Sequence, residues 1–246
     1  MMNPPLAQPV LAPGRLPIGQ RVYAVGDVHG CLDQLQAMHR LIAADLAARP
    51  VAEPLVLHLG DYIDRGPDSA GVIATLLAPF PMPAGPPPPV VNLIGNHEDL
   101  LLQALSGKRV EADVWLSNGG HAALQSWAVP PRTPPKKWES LLPPAHVAFM
   151  RNLALVHRAG SYVFVHAGLR PGLRIDAQTR QDLLWIREPF LSSAVTHEAI
   201  VVHGHTPEES HPVVRANRLG LDTGAVLGGP LTCAVLERDS MAFLQT

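Results

Sequence analysis

The chain has 246 residues, 47% hydrophobic and 16% charged, which is enough apolar material for one large domain with a buried core. A net charge of −2 without a Lys/Arg cluster argues against nonspecific nucleic-acid binding, and no run nears the roughly 20 apolar residues of a membrane-spanning helix. The two cysteines, Cys31 and Cys233, form no CxxC pair and fit a reducing, cytoplasmic setting.

In chain order, residues 1–19 are Pro-rich, lack a basic start followed by an apolar block, and read as a flexible tail. Residues 22–25 form an apolar run ending in Gly-Asp, the pattern of a buried strand. Leu32, Leu35, Met38, Leu41, Ile42 and Leu46 follow at helical spacing and predict an amphipathic helix over 32–48. A second strand is expected at 55–59 and a helix at 69–77, stopped by the Pro-rich stretch 79–89, which reads as a stiff spacer. A third strand is expected over 90–94, with a helix running through Leu105. Residues 107–148 read as an irregular, mostly helical insertion within a single domain spanning 20–246. Further strands are expected at 163–165, 200–202, 219–221, 232–236 and 241–244.

Five apolar strands end in polar clusters. Ligand sites in α/β sheets lie beyond the carboxyl ends of strands, so the five can converge on one place. The first, Gly26-Asp27-Val28-His29-Gly30, sets Asp27 and His29 two apart, on the same side if the segment is extended. The second, from Gly60 to Gly66, carries Asp61, Asp64 and Arg65 between glycines. Asn96 and His97 form the third, His166 the fourth and His205 the fifth. Mixed O and N donors suit Mn, Fe, Zn or Ni rather than a thiolate-seeking metal. Two such ions at one site generate a water nucleophile and clamp oxygens at phosphorus, and Arg65 adds an oxyanion donor.

The set GDVHG (26–30), GDYIDRG (60–66), GNHE (95–98), HAG (166–168) and HGHT (203–206), with LWIRE (184–188) and DTGA (222–225), resembles the calcineurin-like metallophosphoesterases. Within them it is most similar to the bacterial and phage serine/threonine protein phosphatases. The resemblance runs from residue 22 nearly to the end, and the ordered set is far more specific than one GDxHG. It implies an α/β fold, a two-sheet α-β-β-α sandwich with a small helical insertion. It also implies two divalent ions, manganese first, held by Asp27, His29 and Asp61 and by Asp61, Asn96, His166 and His205, with Asp61 shared. His97 corresponds to the proton donor for the leaving group, Asp64 to its carboxylate partner, and Arg65 and Arg187 to phosphate binders. Hydrolysis is then expected by attack of a hydroxide bridging the ions. Pro207 stands where many relatives outside the branch have a further histidine, and Asp99, Leu100 and Leu101 stand where eukaryotic relatives carry an arginine.

Blander readings accompany these. A single strand-end Asp or His is usually a turn residue, and only the ordered set favours metal binding. His97 can equally be a ligand, Arg65 can pair with Asp64 or Asp68, and Arg187 rests on the resemblance. Asp222 is expected to brace a turn or a ligand histidine, His58 and His203 to be structural, and Cys31 to be a small packed residue. The Asn118–His121 turn either lines the site or is a plain loop. The leading expectation is a phosphomonoesterase acting on phosphoserine or phosphothreonine. A dinucleoside polyphosphate hydrolase, a nuclease and a catalytically silent phosphate-binding protein are the alternatives.

Overall fold

The computed structural model describes residues 9–208 and 211–246; the first eight residues of the expected tail lie outside the described residues. One sheet has the order β1 (Val10–Leu11), β11 (Ser240–Gln245), β10 (Thr232–Glu237), β2 (Gln20–Val25), β3 (Glu53–His58), β4 (Val90–Asn92). The other runs β5 (Val156–Ala159), β6 (Tyr162–Val165), β7 (Ile200–His203), β9 (Arg218–Gly220), β8 (Val213–Val214). Pairing is parallel along β2, β3 and β4 and along β6, β7 and β9. The segments that follow β2 and β3 meet those that follow β6 and β7, His166 lying 3.4 Å from Asp61 and the His205 N–H 2.9 Å from Asp27.

Period-two alternation divides each strand between two layers. Val22 and Ala24 of β2, with Leu57 and Leu59 from β3 and its end, pack against Tyr162, Phe164, Val202 and Leu219 of the other sheet. Tyr23, Val25 and Val56 face the opposite way, onto Leu35, Met38 and Ile42 of α1 (Leu32–Ala48) and onto α2 (Ser69–Leu77) and α3 (Asn96–Ala104). The outer face of the second sheet, Val163, Val165 and Val201, is covered by Leu183, Ile186 and Phe190. The result is the α-β-β-α sandwich. Each fully buried Leu, Ile, Val or Met stabilises it by about 1.5–3 kcal/mol.

The segment over 107–148 contains α4 (Arg109–Trp115), a π turn (Leu116–Gly120), α5 (His121–Ser126), α6 (Trp138–Leu141) and the start of α7 (Pro144–Arg151). Its Trp115, Trp127 and Trp138 are buried in the cluster that covers the first sheet.

Two expectations change. The tail holds structure from Val10, because β1 pairs with β11 and Leu16 is buried between the sheets. The strand expected over 90–94 ends at Asn92, so Asn96 and His97 occupy the first turn of α3. Glu98 brings this about by turning back to accept the N–H of Gly95 at 2.9 Å, as in a capping box. LWIRE is split, its first two residues ending the short helix α8 (Arg180–Trp185), which Thr179 and Asp182 cap reciprocally.

Candidate metal centre and active site

The loops after β2 and β3 are zipped together. Val28 and His29 both donate backbone N–H to the Asp61 carbonyl, at 3.0 and 2.8 Å, and Gly30 donates to Tyr62 at 2.8 Å. These segments turn rather than extend. His29, Asp61, Asp64, Arg65 and His205 all have φ between 44° and 72°, the left-handed region. His29 therefore leaves the extended conformation on which the same-side placement of Asp27 and His29 was expected. A non-glycine residue in that region costs about 1–2 kcal/mol, so the surrounding packing must hold these five in place. Two glycines make the close approach possible: a Cβ at Gly95 would overlap the Asp61 carboxylate, and one at Gly204 would overlap Asp27 Oδ1.

Glu98 is the unexpected anchor of this region. Fully buried, it accepts backbone N–H groups from Asp61 (3.0 Å), Tyr62 (2.8 Å), Ile63 (3.2 Å) and Gly95 (2.9 Å). Burial and the nearby Asp61 charge push its carboxyl up to about 8, against the pull of those donors.

The candidate ligands converge on Asp61. Its Oδ2 lies 3.5 Å from His29 Nε2 and 3.4 Å from His166 Nε2. Asn96 Oδ1 lies 2.9 Å from His166 Nε2 and 2.8 Å from His205 Nδ1. Ligating atoms of His29, Asp61 and His97, and of Asp61, His166 and His205, fall within 4.8 Å of one another, two buried groups sharing one carboxylate. Asp27 sits alongside, accepting the His205 N–H at 2.9 Å through Oδ2, while its buried Oδ1 has no partner among the described residues.

The donor set fits cations. His29 Nδ1 faces the Ile63 carbonyl and His166 Nδ1 the Leu59 carbonyl, both at 2.9 Å, so each donates there and presents a lone pair at Nε2. Around His166 Nε2 the neighbours are themselves acceptors, Asp61 Oδ2 and Asn96 Oδ1, and such lone pairs call for a positive charge between them. Burial opposes charge on His166, yet the Asp61 carboxylate outweighs it and raises the imidazole to about 10, so a proton at Nε2 can supply that charge, and a metal ion bound there would displace it. Burial would raise Asp61, but His166 and His97 hold it well below the carboxylate range. Burial lowers His29 to about 4 and His205 to about 3, the neutral form a metal needs.

His97 Nδ1 lies 2.7 Å from Asp64 Oδ2, and its Nε2 lies 4.0 Å from Asp61 Oδ2. Burial lowers His97 to about 4 and raises Asp64 well above its usual value. With the proton between them on Asp64 Oδ2, His97 is neutral and turns Nε2–H to the site; with it on Nδ1, Nε2 keeps a proton only in the imidazolium. Arg65 extends Nη1 to within 3.1 Å of His29 Nε2. Asp61, Arg65, Asn96, His97, Asn118, Trp185, Arg187 and His205 line a pocket of about 150 Å³. The Asn118–His121 turn thus reaches the site through Asn118, with the Gly119 carbonyl accepting the Arg65 N–H at 3.2 Å. Larger cavities, about 550 Å³ between α1 and α2 and about 610 Å³ in the insertion, contain neither ligand group.

The profile of the calcineurin-like phosphoesterases matches residues 20–230. The chain belongs to that family. It is accordingly a metallophosphoesterase, a phosphoester hydrolase of a family that works with two metal ions. It is 29% identical to serine/threonine-protein phosphatase 1 of Salmonella typhimurium strain LT2 over 234 residues, covering 89% of this chain and 93% of that protein. It is 25% identical over 228 residues to the asymmetrical bis(5'-nucleosyl)-tetraphosphatase PrpE of Anoxybacillus flavithermus, covering 85% and 87%. Among solved structures, a protein assigned as a diadenosine tetraphosphatase superposes with a TM-score of 0.62 at 22% identity, covering 92% of this chain and 93% of that one.

Sequence reasoning singled out the metallophosphoesterase clusters and weighed the Asn118–His121 turn as site lining or plain loop, but gave no task to Glu98, Trp115 or Trp185. Glu98 was visible inside GNHE, yet no spacing rule says that its carboxylate turns back on the loop. Asp222 braces its own turn, accepting the Gly224 N–H at 3.0 Å. His203 and His58 are buried, the latter bonded to Asn92 Oδ1 at 2.8 Å and to His39 Nε2 at 3.0 Å.

Proposed function

We propose that the protein is a manganese-dependent phosphomonoesterase acting on phosphoserine- and phosphothreonine-type substrates. In this reading Asp27, His29 and Asp61 hold one ion and Asp61, Asn96, His166 and His205 the other. The bound ions supply Lewis acidity and make a water nucleophile available near neutral pH. Arg65 and Arg187 grip the phosphoryl oxygens with charge-assisted hydrogen bonds. Water adds to phosphorus opposite the leaving oxygen, the bond from phosphorus to that oxygen breaks, and His97 Nε2 gives its proton to it. Asp64 balances the transfer, passing a proton to Nδ1 or ending as the partner of an imidazole that has lost its charge. Two free cysteines and the −2 net charge support a cytoplasmic setting and a substrate other than bulk nucleic acid. No described helix is long and apolar enough to cross a membrane.

The observation that carries this reading is the pocket: about 150 Å³, with two arginines on its wall. Sites that enclose a whole small molecule run to about 300–1,000 Å³. This one suits a single phosphoryl group, with the rest of the substrate outside. Similarity to PrpE supports a second reading, hydrolysis of dinucleoside tetraphosphates. Comparing kcat/KM for a phosphoserine peptide and diadenosine tetraphosphate tests the choice. Preference for the peptide is expected, and preference for the dinucleotide would replace the first reading with the second. A silent phosphate-binding role would leave both uncleaved.

A further inference from the structure

Asp64 is held by one oxygen only. Oδ2 receives Trp115 Nε1–H at 2.8 Å and faces His97 Nδ1 at 2.7 Å, whereas buried Oδ1 has no hydrogen-bond partner among the described residues. Its backbone N–H is engaged separately, with Ser69 Oγ at 3.0 Å. Apart from His97 itself, the indole is the one hydrogen-bond partner among the described residues that fixes the rotation of the carboxyl group. Indole nitrogen donates and never accepts, so against Asp64 it takes a carboxyl oxygen, and it holds Oδ2 rather than Oδ1 at the shared position.

Trp115 comes from the insertion. It is fully buried at the end of α4, packs edge-on against Trp138 with centroids 5.4 Å apart, and opens the π turn. That turn is shaped around it: a Cβ at Gly120 would lie 2.5 Å from Trp115 Cε2 and 2.6 Å from Cδ2. One residue earlier, Gly119 accepts the Arg65 N–H, and a Cβ there would lie 2.8 Å from Arg65 Cγ. A single turn of the insertion thus touches both the Asp64 side and the Arg65 side of the pocket.

We propose that Trp115 is a positioning residue for proton transfer: by clamping Asp64 Oδ2 it aims His97 Nε2 at the leaving oxygen, making the insertion part of the catalytic apparatus. This rests on His97 as general acid. A proton donor matters most when the departing oxygen is a poor leaving group, so the loss falls on alkyl phosphoesters more than on aryl ones. A core tryptophan with only a packing role would depress both alike.

The test uses metal-loaded, full-length protein and the ratio of kcat on a phosphoserine peptide to kcat on p-nitrophenyl phosphate. Trp115→Phe, which keeps most of the ring volume, is expected to lower that ratio tenfold or more, and Trp115→His, which keeps an N–H donor, to restore most of it. Gly120→Ala, which displaces the indole without removing it, is expected to lower the ratio too, and carries the test if Trp115→Phe does not fold. A ratio within twofold of wild type in the folded variant overturns the proposal. His97→Asn runs alongside. If it lowers the ratio while the Trp115 variant does not, the positioning role fails and the general acid stands. If His97→Asn leaves the ratio unchanged, the general acid falls and the positioning role with it.

Discussion

Glu98 accepts the backbone N–H of Asp61 at 3.0 Å, so the carboxylate shared by the two candidate ligand groups is held in its left-handed turn by a second, buried carboxylate. Each Glu98 oxygen takes two backbone N–H groups, Oε2 those of Asp61 and Gly95 and Oε1 those of Tyr62 and Ile63. In Glu98→Gln one oxygen becomes an NH2 that meets two donors. Two buried N–H groups then lose their acceptor, at about 1–3 kcal/mol each. Urea denaturation should show a loss of about 2–5 kcal/mol, with reduced phosphoesterase activity. A change below about 0.5 kcal/mol, within the range of ordinary surface substitutions, would mean the clamp is incidental.

Acid stability follows from a different pair. His39 and His58 are buried with Nε2 atoms 3.0 Å apart, and burial lowers them to about 4 and about 3. Their ordinary value is near 6.5, so below it the unfolded chain binds protons that the folded chain refuses, and stability falls as pH falls. Between pH 7 and pH 5 the two together remove about 3–4 kcal/mol, less where other groups compensate. His39→Leu should make that acid loss smaller by about 1–2 kcal/mol. Equal acid loss in the variant and the wild type, by denaturation at the two pH values, would contradict this.

Arg65 and Arg187 line the same small pocket. Removing one charge-assisted phosphate contact costs about 1.5–3 kcal/mol, so Arg65→Ala and Arg187→Ala should each lower kcat/KM by roughly 10–100-fold. Lysine replacements should recover only part, because an ammonium cannot reproduce the planar fork. Steady-state kinetics on p-nitrophenyl phosphate decide it, and wild-type kcat/KM in Arg187→Ala would remove that residue from the phosphate site.

What could be read from sequence divides by the range of the interaction. Asp27, His29, Asp61, Asn96, His166 and His205 announce themselves because each is a metal-capable type at the end of an apolar run. The runs are long enough to show period-two burial, and the helix over 32–48 shows its 3.6-residue spacing. Val10–Leu11 and Val213–Val214 are too short to carry a pattern, and only pairing with β11 and β9 makes them strands. Trp115 looked like one of several aromatics in an irregular segment; its partner Asp64 lies 51 positions away. Asn96 was placed at a strand end rather than in a helix because the Glu98 turn-back that starts α3 is a tertiary contact as much as a local cap.

The central claim, catalysis by two ions gathered around Asp61, is tested most directly by titrating metal-stripped protein with Mn²⁺ while following hydrolysis of p-nitrophenyl phosphate. Activity should be absent without metal and should rise to a plateau at about two equivalents. Full turnover in the stripped protein, or none at any occupancy, would contradict the account.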